Sequence, residues 1–119
     1  MAIDPSALQQ IVLLDQETGG GLLGELVGMF FDGTPKRFAA LSEALAAADA
    51  KAVERELHSI RGSAGTFGAT DLAALSGALE RSARAGNLAE VLAGTAALRA
   101  AFDDACALLR AEQARLGAG

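Results

Sequence analysis

The sequence predicts an all-α protein: an antiparallel up-and-down four-helix bundle with one or two additional N-terminal helices packed at its end. The chain has 119 residues, 51% hydrophobic and 21% charged, which is typical of a single packed domain over residues 1–119. Alanine and leucine, strong helix formers, are abundant, and runs of strand-favouring β-branched residues are absent. Apolar residues also recur at spacings of three and four in consecutive segments joined by short connections, which is the pattern of bundle helices.

Two helices are predicted in the N-terminal part, about residues 5–32. Asp4-Pro5 provides an N-cap followed by proline in the first turn, and it predicts a short helix over about 5–14. A glycine-rich stretch at 16–21 predicts a break. A second helix is expected over 22–31, although two glycines weaken it by about 1 kcal/mol each relative to alanine.

The four bundle helices are predicted over about residues 35–115. Each begins at a residue type that caps or opens helices, and two of them end at a glycine suited to a left-handed stop. The predicted starts are Thr34-Pro35, Asp49, Thr70 and the pair Asn87/Glu90, which resembles a capping box, and the predicted stops are Gly68 and Gly86.

Composition and charge exclude several classes of function. The formal net charge is −5, whereas a duplex nucleic-acid binder usually presents a basic surface, so no nucleic-acid partner is expected. Cys106 is the only cysteine, which excludes an intramolecular disulfide and a multi-cysteine metal site, and its position indicates a small core residue. The chain has no signal segment and no apolar run near 20 residues, so a cytoplasmic protein without membrane contact is expected.

The only histidine, His58, is predicted to lie on an exposed helix face. At about 100° per residue, it is turned about 130° from the centre of the apolar stripe of its helix. An exposed imidazole is partly neutral near neutral pH and can act as a nucleophile. The residues that share its face are Lys51, Glu54, Arg55, Arg61, Gly62 and Gly65.

Three of these neighbours suit phosphoryl chemistry on the histidine. Arg61 disfavours the protonated ring and would attract the oxygens of a phosphoryl group held on it. Gly62, at the i+4 position, removes a side chain that would crowd the ring. Glu54, at i−4, could orient the ring by accepting a hydrogen bond from its other nitrogen.

The segment from His58 to Gly68, HSIRGSAGTFG, resembles the signature of histidine-containing phosphotransfer (HPt) domains, a phosphorylatable histidine followed by x-x-Lys-Gly and a further glycine. The resemblance extends over nearly the whole chain, through FFDGTP at 30–35, ALAAAD at 44–49 and LERSARAG at 79–86. Two departures are visible: Arg61 stands where the family often has lysine, and the 19–24 segment is unusually rich in glycine for part of a docking surface.

This resemblance implies a phosphocarrier in a two-component relay, without kinase activity of its own. His58, through Nε2, would take a phosphoryl group from a receiver-domain aspartate and pass it to another, with receivers of a hybrid histidine kinase or of response regulators as partners. Arg61 would contact the phosphoryl group, and Gly62, Gly65, Lys51 and Arg55 would face the docked receiver. The chain would bind no cofactor, since the receiver supplies Mg²⁺ and its carboxylate ligands. A monomer is expected.

Two other classes of function compete with the phosphocarrier. One is a non-catalytic helical interaction module that binds receivers without carrying phosphate, in which His58 is incidental. The other is a metal-dependent or hydrolytic enzyme, which is disfavoured because one histidine without a cysteine cluster leaves nearly all ligands to carboxylates. Lys51 and Arg55 are equally compatible with an ordinary solvated face.

Overall fold

The computed structural model describes residues 4–18 and 21–117, and these form a bundle of α-helices. The last four helices run up and down: the third packs against the second and the fourth, and the fifth packs against the fourth and the second, while the first packs on the second. The predicted all-α bundle is confirmed. No helix in the described ranges is long and apolar enough to span a membrane. The helices are α1 Pro5–Thr18, α2 Leu22–Ala46, α3 Ala50–Thr66, α4 Thr70–Arg84 and α5 Leu88–Gly117.

Helix α2 replaces two predicted helices, and the predicted start at Thr34-Pro35 is wrong. Pro35 lies inside α2, where a proline removes one hydrogen bond and costs about 3 kcal/mol. Val27 before it and Leu41 after it are each only 1% exposed in the same core. Burying such side chains stabilises the fold by about 1.5–3 kcal/mol each, so packing of both halves of α2 outweighs the defect at the proline.

The N-terminal helix is longer than its sequence pattern predicts. Helix α1 starts at Pro5, as expected, and the Asp4 carboxylate accepts hydrogen bonds from the backbone and the hydroxyl of Ser6 at 3.0 and 2.7 Å. The helix continues to Thr18 rather than ending near residue 14. Of the predicted break at 16–21, residues 19–20 lie outside the described part of the chain. Among the described residues, α1 is the one helix additional to the four bundle helices.

Helix α3 begins as predicted, with the Asp49 carboxylate accepting a hydrogen bond from the backbone N–H of Ala52 at 3.2 Å. Its apolar stripe is buried in full and comprises Val53, Leu57, Ile60 and Ala64. Because one face of α3 is committed to the core, the rotation of the helix about its axis is set, and with it the direction of the opposite face.

The turn after α3 fixes where the histidine helix ends. Gly68 adopts φ +68°, the left-handed conformation predicted for it, and the backbone N–H of Ala69 donates to the carbonyl of Ala64 at 2.8 Å. The N-cap of α4 is Ala69, so the prediction of Thr70 as N-cap is wrong and Thr70 is the first helical residue. The Gly68 carbonyl also accepts from the Asp4 N–H at 2.6 Å, which ties the start of α1 to this turn.

Aromatic side chains from α2, α5 and the residue that caps the end of α3 pack together in the core. The ring of Phe30 lies 5.1 Å from that of Phe67 and 5.2 Å from that of Phe102, measured between centroids. Such tilted pairs stabilise packing by about 0.5–1.5 kcal/mol beyond area burial. Cys106 of α5 is buried in the core, as predicted.

Candidate functional site

His58 projects from the outer face of α3, where the helical periodicity predicts it. Its side chain is 64% exposed, while the preceding Leu57 is fully buried and anchors the helix from the other side. Among the described residues, the hydrogen bonds of the ring are made through Nδ1, and Nε2 has no hydrogen-bond partner. Nε2 is therefore the nitrogen available to another molecule.

The carboxylate that contacts the ring comes from Glu80 of α4, a residue that the sequence analysis missed. Its Oε2 lies 3.0 Å from Nδ1 of His58. The Glu80 side chain is only 4% exposed, and a buried carboxylate is rare unless it is paired. One signal was present in the sequence: Glu80 falls next to Leu79 on the apolar face of α4, where a charged residue needs a specific partner.

Glu54, which was predicted to orient the ring, makes a different contact. Its Oε1 accepts a hydrogen bond from Nε of Arg84 at 2.9 Å. The same guanidinium donates through Nη2 to Oε2 of Glu80 at 3.2 Å. Arg84 therefore ties α3 to α4, and the position against the imidazole belongs to Glu80. The reason is that the α3–α4 packing brings Glu80 closer to the ring than the i−4 neighbour on the same helix.

Arg61 lies beside the histidine, with Nη2 3.0 Å from Nδ1 of His58 and Nε 3.2 Å from Oε1 of Glu80. Its side chain is 44% exposed. The contact with Oε1 is an ion pair and not an aligned hydrogen bond, because that buried oxygen has no hydrogen-bond partner. The proposed contact between Arg61 and a phosphoryl group remains a prediction.

Gly62 and Gly65 are exposed on the same face as His58. A Cβ built at either glycine meets no atom within 4 Å. An alanine at Gly62 would thus not crowd the ring in this conformation. The expectation that glycine is needed here to leave room for the ring is therefore not met. No neighbour within the described chain requires a glycine at either position.

The surface around the ring carries more positive than negative charge. The side chains that line it are Lys51, Glu54, Arg55, His58, Arg61, Glu80 and Arg84, which include four permanent cations and two carboxylates. Both carboxylates are paired with arginine. A surface of this charge attracts an acidic partner. Lys51 and Arg55 belong to it as predicted, but their role in docking stays a prediction.

Comparison with known proteins identifies the family. The model of the Hpt domain family matches residues 25–112. The fold is similar to the crystal structure of histidine-containing phosphotransfer protein B (HptB) from Pseudomonas aeruginosa PAO1, with a TM-score of 0.84 and 27% sequence identity over 95% of each chain. No curated protein sequence matches the chain. The family match spans α3, α4 and their paired His58 and Glu80, and on this basis the chain belongs to the Hpt domain family.

Proposed function

We propose that this protein is a histidine phosphotransfer protein of a multi-step phosphorelay, in which His58 accepts a phosphoryl group from a receiver-domain aspartate and passes it to another. The observation that carries the proposal is the exposed ring of His58, engaged through Nδ1 with its Nε2 unpartnered within the described chain. Membership in the Hpt family and the similarity to HptB support it.

The geometry around the ring is suited to nucleophilic attack through Nε2. When Nδ1 carries the proton and donates to Glu80, the lone pair of the neutral ring lies on Nε2. Nε2 attacks phosphorus, the N–P bond forms, and the bond from phosphorus to the aspartyl oxygen breaks with its electron pair leaving on the carboxylate. The ring becomes positively charged, and Glu80 at 3.0 Å from Nδ1 offsets that charge.

The remaining parts of the reaction would come from the receiver. Mg²⁺ and the carboxylates that hold it stabilise charge on the transferring group and belong to the partner's site. Lys51 and Arg55 would face that acidic site, and the bare backbone at Gly62 and Gly65 would let it approach α3 closely. The protein acts as a carrier that needs neither a cofactor of its own nor kinase activity.

Incubation with phosphorylated receivers tests the proposal directly. Wild-type protein should acquire an acid-labile, base-stable phosphoryl label, and transfer should reverse when an unphosphorylated receiver is added. His58→Gln should keep the helical circular dichroism of the wild type but take no label, because the exposed side chain contributes little to the core.

Two outcomes would reject phosphoryl transfer through His58. Label retained by His58→Gln would place the acceptor elsewhere. Receiver binding without any label on wild type, across all receivers of the source organism, would instead identify the non-catalytic interaction module.

A further inference from the structure

Two side chains contact Nδ1 of His58, and they require opposite protonation of this nitrogen. Glu80 Oε2 and Arg61 Nη2 each lie 3.0 Å from this one atom. A carboxylate only accepts hydrogen bonds and a guanidinium only donates them. In the neutral ring, Nδ1 has either a proton, which satisfies Glu80, or a lone pair, which satisfies Arg61. The two contacts therefore stabilise opposite tautomers of His58.

Only one of these tautomers can carry out the proposed reaction. With the proton on Nδ1, Nε2 has the lone pair that attacks phosphorus. With Arg61 donating to Nδ1, the proton lies on Nε2, and the exposed nitrogen has no lone pair to form a bond. In the position that the structure gives it, Arg61 thus stabilises the unreactive form of the ring.

Of the two residues that contact Nδ1, Arg61 is the one that can move away from it. Glu80 is buried and its Oε2 also accepts from Arg84 at 3.2 Å, which holds the carboxylate in place. Arg61 is 44% exposed, and its approach to Oε1 of Glu80 at 3.2 Å leaves that oxygen without a hydrogen bond. Withdrawal of Arg61 therefore breaks no aligned hydrogen bond to Glu80.

We propose that Arg61 and Glu80 form a tautomer switch on His58, an inference that rests on the proposed role of His58 as phosphoryl acceptor. In the resting protein, the hydrogen bond from Arg61 to Nδ1 stabilises the tautomer with the proton on Nε2, so part of the His58 population has this form. An incoming phosphoryl group, as an acyl phosphate on the receiver, draws the guanidinium away from Nδ1. The ring then loses the Nε2 proton to solvent and takes up a proton from solvent on Nδ1, which donates to Glu80.

Phosphoryl transfer follows from the switched ring with all atoms accounted for. The Nε2 lone pair forms the N–P bond while the aspartyl carboxylate leaves with the electron pair of the P–O bond. The Nδ1 proton stays in place, so the phosphorylated ring is cationic beside Glu80. Transfer onward returns a neutral ring with its proton still on Nδ1. Arg61, released from the phosphoryl group, then returns to Nδ1 as this nitrogen loses its proton to solvent and Nε2 takes up a proton from solvent. Glu80 is in this scheme a positioning residue.

The tautomer can be measured without any receiver. In protein labelled with ¹⁵N-histidine, long-range ¹H–¹⁵N correlation spectra distinguish a protonated ring nitrogen from one with a lone pair. Spectra are compared at a pH where both shifts show a neutral ring. Arg61→Ala should move the tautomer ratio toward Nδ1–H by about fivefold, the factor that corresponds to one net hydrogen bond of about 1 kcal/mol.

Two further variants complete the test. Glu80→Leu should move the ratio in the opposite direction, and Arg55→Ala, which removes a neighbouring cation from the same surface, should leave it unchanged. If Glu80→Leu does not fold, Arg61→Ala decides alone, since its side chain is outside the core. An unchanged ratio in Arg61→Ala, or an equal shift in Arg55→Ala, overturns the switch. This readout is independent of label transfer, so failure of the phosphocarrier and failure of the switch give different results.

Discussion

Gly62 lies inside α3, four residues before its end and on an exposed face, a position where alanine would ordinarily be the more stable residue. A Cβ at this position meets no atom within 4 Å, so the substitution Gly62→Ala introduces no clash. Helix propensity then raises the free energy of unfolding by about 1 kcal/mol. For a domain of this size, such a gain corresponds to an increase in Tm of about 4 °C.

The same methyl group should impair transfer, because it projects beside His58 where we propose that the receiver docks. Overpacking at a close contact costs about 1–3 kcal/mol, and about 1.4 kcal/mol corresponds to a tenfold loss in kcat/KM. We therefore expect Gly62→Ala to be more stable in urea unfolding, yet about tenfold slower in accepting label from a phosphorylated receiver.

Gly28→Ala is the matched control. Gly28 is also inside a helix, α2, and a Cβ there also meets no atom within 4 Å. It should give a similar gain in stability without the loss of transfer. Equal transfer rates in the two variants would refute the docking role of Gly62. A Tm of Gly62→Ala below that of the wild type would refute the inference that the added methyl group meets no other atom of the protein.

Three other measurements address the turn, the core and the arginine. Gly68→Ala should lower the free energy of unfolding by about 2 kcal/mol, because φ is +68° and a Cβ would lie 2.7 Å from the Asp4 carbonyl oxygen; an unchanged urea midpoint would contradict this. Burial raises the pKa of Cys106 from 9.0 to about 11, so the unfolded chain loses this proton first and stability should fall as pH rises from 9 towards 11, a decline that Cys106→Ala should lack in urea titrations. Arg61→Ala should shorten the lifetime of the phosphohistidine with helix content unchanged, and an equal lifetime would leave Arg61 without a role at the phosphoryl group.

Features that depend on a few neighbouring residues could be predicted from the sequence. The cap at Asp49, the buried stripe through Leu57 and the left-handed turn at Gly68 each follow from local chemistry within one or two helical turns. The outward direction of His58 follows from the same periodicity, because the stripe that enters the core determines which face remains outside.

Features that depend on a balance between a local energetic cost and packing against distant residues could not be predicted from the sequence. Pro35 predicts a helix break when its cost is considered alone, and only the burial of Val27 and Leu41 in one core shows that α2 continues. The N-cap of α4 is Ala69 rather than the predicted Thr70, and the Gly68 turn before it is hydrogen-bonded to the start of α1, a distant contact that the local pattern does not show. The energy of burying Val27 and Leu41 cannot be obtained from the residues next to Pro35.

By itself, the sequence determined the helical bundle, the exposed histidine and the family resemblance, because these follow from the spacing of apolar residues and from short motifs. The tertiary structure alone decided which carboxylate contacts the ring. Glu80 of α4 is 22 positions from His58, and Arg84 of α4 contacts Glu54 of α3; both contacts exist only through the packing of α3 on α4. Helical spacing within α3 favoured Glu54 for the ring, but the register between two helices is set by the core that they share.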